Sequence, residues 1–324
     1  MPALPRAAAV LATAALILAA CAGPEPDDAV RGDAKLRAGP LNTQNTLTLA
    51  TGSGRLEEAV TEAGATVEVA ASFPAFAPAA EAMAADQIDM TTGSSTALIS
   101  ALQGNPDLVV FAVEVNDNDT QGIVAAPGTG ITSVSDLAGR TVAVNEGGTG
   151  DYLLRTALAR AGMDIEDVEP VHLAPPEAAT AFTAGQVDAW ATWDQYLVSA
   201  QSADGTTLVA LAADVGATNP TVHVVTRDFL TTHPELVRAA YDALTEQAEA
   251  VIAHPQLLAE AYREDGAAPE VAQAIAAKSP PRIVPADEDF ARELQDVAEF
   301  YAEQGLTTST TDVSEAVVDV RELP

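Results

Sequence analysis

Two hydrophobic periods alternate along this chain, and their alternation predicts its elements. Short aliphatic and β-branched runs at 66–70, 89–92, 108–115, 122–126, 141–144, 168–172, 189–191, 207–212 and 222–226 have the length and composition of strands. The run at 46–50, T-L-T-L-A, reads as a first strand and ends in the turn Thr51-Gly52-Ser53-Gly54. Between these runs apolar residues recur at helical spacing over 56–63 and 75–85, from the Gly93-Ser94-Ser95-Thr96 turn to Leu102, and over Tyr152, Leu153, Leu154, Leu158 and Ala161. Strands alternating with helices of about ten residues indicate βαβ units and a largely parallel sheet. The polar stretch Asn116-Asp117-Asn118-Asp119 interrupts this pattern, and a second set of units follows from Gly122. Beyond Asp228 the periodicity is helical throughout, over 234–253, 256–262, 269–277 and 288–304. A helical tail cannot complete a sheet, so it is expected to pack back on the first set of units.

Composition narrows the class. A chain of 324 residues exceeds one typical domain, and 48% hydrophobic residues supply ample core. Lys plus Arg total 15 against 47 Asp plus Glu, a net charge of −32, which argues against nucleic acid or an anionic membrane surface as partner. The carboxylates are dispersed rather than blocked, as on a solvated surface. The N-terminus reads as a targeting segment: Arg6, an apolar run over 7–18, then Leu18-Ala19-Ala20-Cys21. Cys21 is the only cysteine, so it forms neither an internal disulfide nor a cysteine-rich metal site. Residues 22–43, with Pro24, Pro26, Gly32, Gly39 and Pro40 among polar residues, read as a flexible tether.

Candidate chemistry gathers where predicted strands run into helices, the place at which open α/β sheets bind ligands. Three such loops combine glycine with hydroxyls: Thr51-Gly52-Ser53-Gly54, Gly93-Ser94-Ser95-Thr96 and Gly147-Gly148-Thr149-Gly150. Glycine lets the backbone approach closely, hydroxyls donate to an oxyanion, and a helix N-terminus favours negative charge. Each Ser or Thr has helix capping as its plainer role. Trp190 and Trp193 are the only tryptophans; Trp190 sits within a strand, where core packing is expected, and Trp193 opens a loop, where it suits a ligand wall. Asp194 caps the helix that starts there or accepts a hydrogen bond from a ligand amine; both remain open. No catalytic or metal-binding motif is present, and no cofactor is expected.

D-L-A-G-R at 136–140, the Gly-rich turn, G-Q-V-D-A-W-A-T-W-D at 185–194 and H-P-E-L-V at 233–237, in this order, resemble the solute-binding proteins of bacterial ABC importers for sulfonates, taurine and nitrate. The resemblance spans about residues 44–305. It implies an α/β, two-lobed, type II periplasmic-binding fold with a hinge and a helical C-terminal tail. Lobe one is expected from 44–116 plus 220–324 and lobe two from 120–215, with crossings near 116–121 and 214–220. It further implies a monomer that closes on a small ligand and delivers it to a membrane permease. Leu18-Ala19-Ala20-Cys21 resembles a lipobox, which implies a lipid on Cys21 and anchorage at the cell surface or in the periplasm. The expected ligand contacts are Ser53, Ser94, Ser95, Thr96, Glu114, Gly147, Gly148, Thr149, Gly150, Trp193 and Asp194.

The chain departs from the sulfonate binders at Glu146 and Asp151, where basic residues and histidine are usual. Carboxylates beside an anion site favour a zwitterion, so taurine or a related aminosulfonate is the expected ligand. Its ammonium partner is expected among Glu114, Glu146, Asp151 and Asp194. Nitrate and a thiamine or riboflavin precursor are the alternatives. An enzyme resembling the pyrimidine synthases is the reading of another class, disfavoured because those rely on a cysteine-rich motif.

Overall fold

Eleven strands form two mixed sheets among the described residues, which are 34–117, 119–278 and 280–324 of a computed structural model. The expected lipobox with Cys21 lies outside them. The first lobe opens with β1 (Lys35–Gly39), α1 (Thr46–Gly52), α2 (Arg55–Glu62), β2 (Thr66–Val69), α3 (Phe76–Ala84), β3 (Met90–Ser94), α4 (Ser95–Leu102) and β4 (Leu108–Val115). The chain then crosses into β5 (Gln121–Ala125), β6 (Thr141–Val144), α5 (Thr149–Arg160), β7 (Glu169–His172), α6 (Pro175–Thr183), β8 (Ala189–Trp193), α7 (Asp194–Gln201), β9 (Thr207–Leu211) and α8 (Ala212–Val215). It returns through β10 (Thr221–Thr226), α9 (Arg227–Thr232), α10 (Pro234–Ala253), α11 (Gln256–Glu264), α12 (Pro269–Ala276), β11 (Arg282–Pro285) and α13 (Glu288–Glu303).

Sheet one has the order β11-β4-β10-β3-β1-β2 and sheet two β7-β6-β8-β5-β9. β1 runs parallel to β2 and β3, and β6 parallel to β7 and β8. The strand that enters each sheet after a crossing, β5 or β10, is antiparallel to both its neighbours. Sheet one carries one apolar layer of Leu36, Leu47, Leu56, Phe111, Val237 and Leu244, and sheet two one of Val124, Phe182, Trp190 and Leu197. A third cluster is continuous between the lobes, from Phe76, Leu98 and Val110 through Ile123, Val142 and Leu154 to Leu294 and Tyr301. The two-lobed fold is therefore present, with its core continuous behind the hinge.

Four expectations need correction. Residues 35–39 are not tether but the β1 strand: Leu36 and Ala38 are buried in the sheet, and Asp89 accepts the Arg37 backbone N–H at 2.8 Å and its Nε at 2.9 Å. Residues 46–50 are helix, not strand. Asn45 caps α1 by accepting Thr48 N–H at 3.0 Å, and the Glu114 carboxylate accepts Thr46 N–H at 2.9 Å. Tertiary contacts at a helix N-terminus thus override the alternating T-L-T-L pattern. The region after Asp228 is not wholly helical, because β11 pairs antiparallel with β4.

The tail does not pack on lobe one alone. Leu236, Val237, Ala240, Ala243 and Leu244 of α10 join the first lobe's layer. The α11–α12 hairpin instead packs Tyr262, Val271, Ala272 and Ile275 on Val198 of α7, in lobe two. α13 also reaches across: Phe300 meets Tyr152 of α5 edge-on at 5.6 Å, and Tyr301 donates to the Gly147 carbonyl at 3.2 Å. Because the hairpin's cluster is small and separate, Ile275→Ala should cost about 2–5 kcal/mol and loosen the hairpin selectively. Hydrogen exchange should accelerate over α11 and α12 while β3, β4 and β10 keep their protection.

Candidate functional site

The loops that follow β3, β4, β6, β7 and β8 all line one cleft between the lobes, with a volume of about 660 Å³. That is within the usual range for small-molecule sites. The first wall is Glu114, at the end of β4. Its carboxylate accepts Thr46 N–H at 2.9 Å, at the positive end of α1, and lies 3.4 Å from Nε2 of the fully buried His223. Burial pushes the Glu114 carboxyl up, but the interactions with His223 and Thr46 outweigh burial and hold it below the usual range.

The opposite wall comes from lobe two. Gly147 takes a left-handed φ of 61°, which a side chain would strain, and a Cβ on Gly150 would run into the Ala191 carbonyl of β8. The Gly-rich turn is thus fitted tightly over the sheet. Most of its amides are already bonded. Gly147 N–H donates to Asp151 at 3.0 Å, Gly148 N–H to the Asn145 carbonyl at 3.2 Å and Gly150 N–H to the Asn145 side chain at 2.9 Å. Asp151 is buried and paired with Arg155 at 2.8 Å, so it does not face the cleft. Glu146 stands exposed at the rim, 3.7 Å from His172.

Trp193 lines the cleft, edge-on to Tyr196 at 6.3 Å, whereas Trp190 is buried between Phe182 and Tyr196. Asp194, the first residue of α7, also lines the cleft and holds a φ of 44°, a conformation that Asp and Asn tolerate better than most residues. Burial, reinforced by the negative charge of Glu114, pushes its carboxyl up to about 7 against a lowering bond from Thr120. Tyr262, from the tail hairpin, completes the enclosure; burial and then the charges of Asp194 and Glu114 raise its hydroxyl well above the ordinary range.

Asn219 holds the back of the cleft. Its carbonyl oxygen accepts from Ser95 Oγ at 3.0 Å and Thr96 N–H at 3.2 Å, at the start of α4, and its amide donates to Thr149 Oγ1 at 3.1 Å, at the start of α5. Its backbone carbonyl accepts from Gln121, where the first crossing enters β5, at 2.9 Å. Ser100 adds a bond across the seam, donating to the Gly147 carbonyl at 3.1 Å.

Of the residues singled out by sequence, Ser94, Glu114, Gly147, Gly148, Thr149, Trp193 and Asp194 are brought together on the cleft. Ser95 and Thr96 are turned inward to Asn219, and Gly150 serves packing. Ser53 stands elsewhere: with α1 a helix, it lies at that helix's C-terminal end and donates to Gln247 at 2.8 Å. Asn219, Tyr262 and Lys278 were missed. Asn219-Pro220 was legible as a turn before a strand; Lys278, the one Lys or Arg among the described cleft residues, follows a surface helix and carries no local signal.

Residues 61–257 match the family model described as NMT1/THI5 like. The chain belongs to that family. A periplasmic aliphatic sulphonate binding protein from Escherichia coli is 25% identical to it, covering 88% of this chain and 92% of its own, with a TM-score of 0.80. The alkanesulfonate-binding protein from Xanthomonas axonopodis pv. citri, solved bound to MOPS, shares the fold at 24% identity and a TM-score of 0.81, covering 89% of this chain and 99% of its own. The taurine-binding periplasmic protein of Escherichia coli strain K12 is 30% identical over 199 residues, 60% of this chain and 61% of its own length. The two solved structures share the two-lobed scaffold on which the cleft described above is built.

Asp194 also sets a pH dependence of stability. An ordinary aspartate ionises near 3.8, whereas in the fold this one keeps its proton to about 7. Between those values the folded chain binds more protons than the unfolded one, so this contribution to stability falls as pH rises from about 4 to about 7. Asp194→Asn should therefore raise the melting temperature at pH 8 and leave it nearly unchanged at pH 4, as followed by circular dichroism.

Proposed function

We propose that this chain is an extracytoplasmic solute-binding lipoprotein of an ABC importer. It captures a small sulfonate-type ligand between its lobes, an aminosulfonate such as taurine in preference, and delivers it to a membrane permease. The observation that carries this reading is the charge of the cleft: Glu114 and Asp194 line it from opposite lobes, and Lys278 is its one Lys or Arg among the described residues. A ligand with an ammonium and an acid head matches that set, and a plain anion does not. The acid head is assigned to Lys278 and to the hydroxyls of Ser94 and Thr149, because the amides at the start of α4 already serve Asn219, Pro220 and Ser94. The aliphatic linker lies against Trp193. The crossings near 116–121 and 214–220 act as the hinge, and the protein works as a monomer without chemical turnover of its ligand.

A thermal-shift panel of taurine, alkanesulfonates, nitrate, sulfate and thiamine or riboflavin precursors tests the ligand class. A ligand at a hundred times its Kd stabilises by about 2.7 kcal/mol, and taurine should give the largest shift. A shift confined to nitrate or to a pyrimidine would replace the sulfonate reading. Lipid anchorage is tested separately: Cys21→Ala should block acyl labelling and leave unprocessed precursor. Normal maturation of that variant would remove the lipoprotein assignment.

A further inference from the structure

Two carboxylates line this cleft from different lobes, and neither is ion-paired with a Lys or Arg among the described residues. Glu114 belongs to β4 of the first lobe, with the buried His223 behind it at 3.4 Å; Asp194 opens α7 of the second. We infer that Glu114 and Asp194 form a charge gate that closes around one positive charge, and that an ammonium-bearing ligand enters it by displacing a proton from Asp194. This deepens the aminosulfonate reading and rests on it for the identity of the acid head.

The groups facing Asp194 support the gate. Glu114 faces it from β4, Asp119 and Thr120 from the first crossing, and Tyr262 from α11. Lys278, after α12, is the one Lys or Arg lining the cleft among the described residues, yet its Nζ lies 3.9 Å from Asp119 and makes no ion pair with Asp194. Asp194 thus lies in the field of two carboxylates, and Glu146, His172 and Tyr262 are the other titratable groups besides Lys278 that line the same cleft. Without ligand, a proton on Asp194 relieves the repulsion that lobe closure imposes on the pair. An ammonium placed between the two carboxylates relieves it equally, and the proton then leaves. A sulfonate lacking an amine has the opposite requirement, because its charge is tolerated best while Asp194 is protonated.

Calorimetry of taurine and of ethanesulfonate between about pH 5.5 and 8, where an alkylammonium keeps its charge, separates the two behaviours. Taurine affinity should rise with pH, by up to about tenfold per unit below neutrality. Measured in buffers of different ionisation enthalpy, its binding at pH 6 should release a proton count approaching one per ligand. Ethanesulfonate affinity should fall over the same range. Asp194→Asn, which also tolerates the positive φ, should flatten both slopes and erase the preference for taurine. Parallel slopes for the two ligands, or a slope retained in Asp194→Asn, would overturn the gate. If neither sulfonate binds at any pH, the sulfonate reading falls. Ethylammonium then tests the gate alone: binding that strengthens with pH supports it, and no binding overturns it.

Discussion

One buried side-chain amide ties the helix starts of the two lobes together at the back of the cleft, and the chemistry of the cleft follows from how Asn219 is spent. Helices α4 and α5 start face to face at the hinge, each with backbone and hydroxyl groups that need partners. Asn219 satisfies both at once, accepting from Ser95 and Thr96 on one side and donating to Thr149 on the other. Hydrogen bonds buried at this depth are costly to leave unmade, so the amide fixes how the two helix starts approach each other. It also uses donors that a ligand anion would otherwise claim. The Gly-rich turn behaves likewise, closing its amides on Asn145 and Asp151.

With those donors committed, charge decides what the cleft accepts. A chain with net charge −32 gathers few cations anywhere, and only Lys278 among its described Lys and Arg residues reaches this space. Glu114 is held ionised by His223 and by the start of α1, and its charge in turn favours the protonated form of Asp194. The carboxyls are chemically alike but sit in unequal environments, one compensated and one not. That inequality makes the second wall responsive to a cation while the first stays fixed. The tail contributes more than a cap: Tyr262 encloses the pair from a hairpin that packs on α7 of the second lobe.

Much of this was legible in the sequence, for a physical reason. Strands β3, β4, β6, β8 and β10 are aliphatic or β-branched runs bounded by turn residues, and the glycines of 147–150 mark a tight strand-to-helix turn. Ser94, Glu114, Thr149, Trp193 and Asp194 follow because strand ends point to the cleft in this architecture. What failed depended on distant partners. K-L-R-A-G is a strand through its pairing with β2 and β3 and the bonds of Asp89 to Arg37, and T-L-T-L-A is a helix because Asn45 and Glu114 hold its start. The misreading of that helix carried Ser53 into the site. Asp151, one of four alternatives for the ammonium partner, turns away from the cleft because it pairs with Arg155 at i,i+4. No local pattern marks Lys278 or Tyr262, which reach the cleft through the packing of a hairpin on the opposite lobe.

The central claim is that one positive charge of the ligand sits between Glu114 and Asp194, with the lobes closed around it. A crystal structure of the protein with taurine, grown near pH 8, tests it most directly. The ammonium nitrogen should lie at charge-assisted hydrogen-bond distance, about 2.7–2.9 Å, from a carboxylate oxygen of each residue, with the sulfonate toward Lys278, Ser94 and Thr149. An ammonium exposed to solvent, or a taurine molecule bound away from both carboxylates, would contradict it.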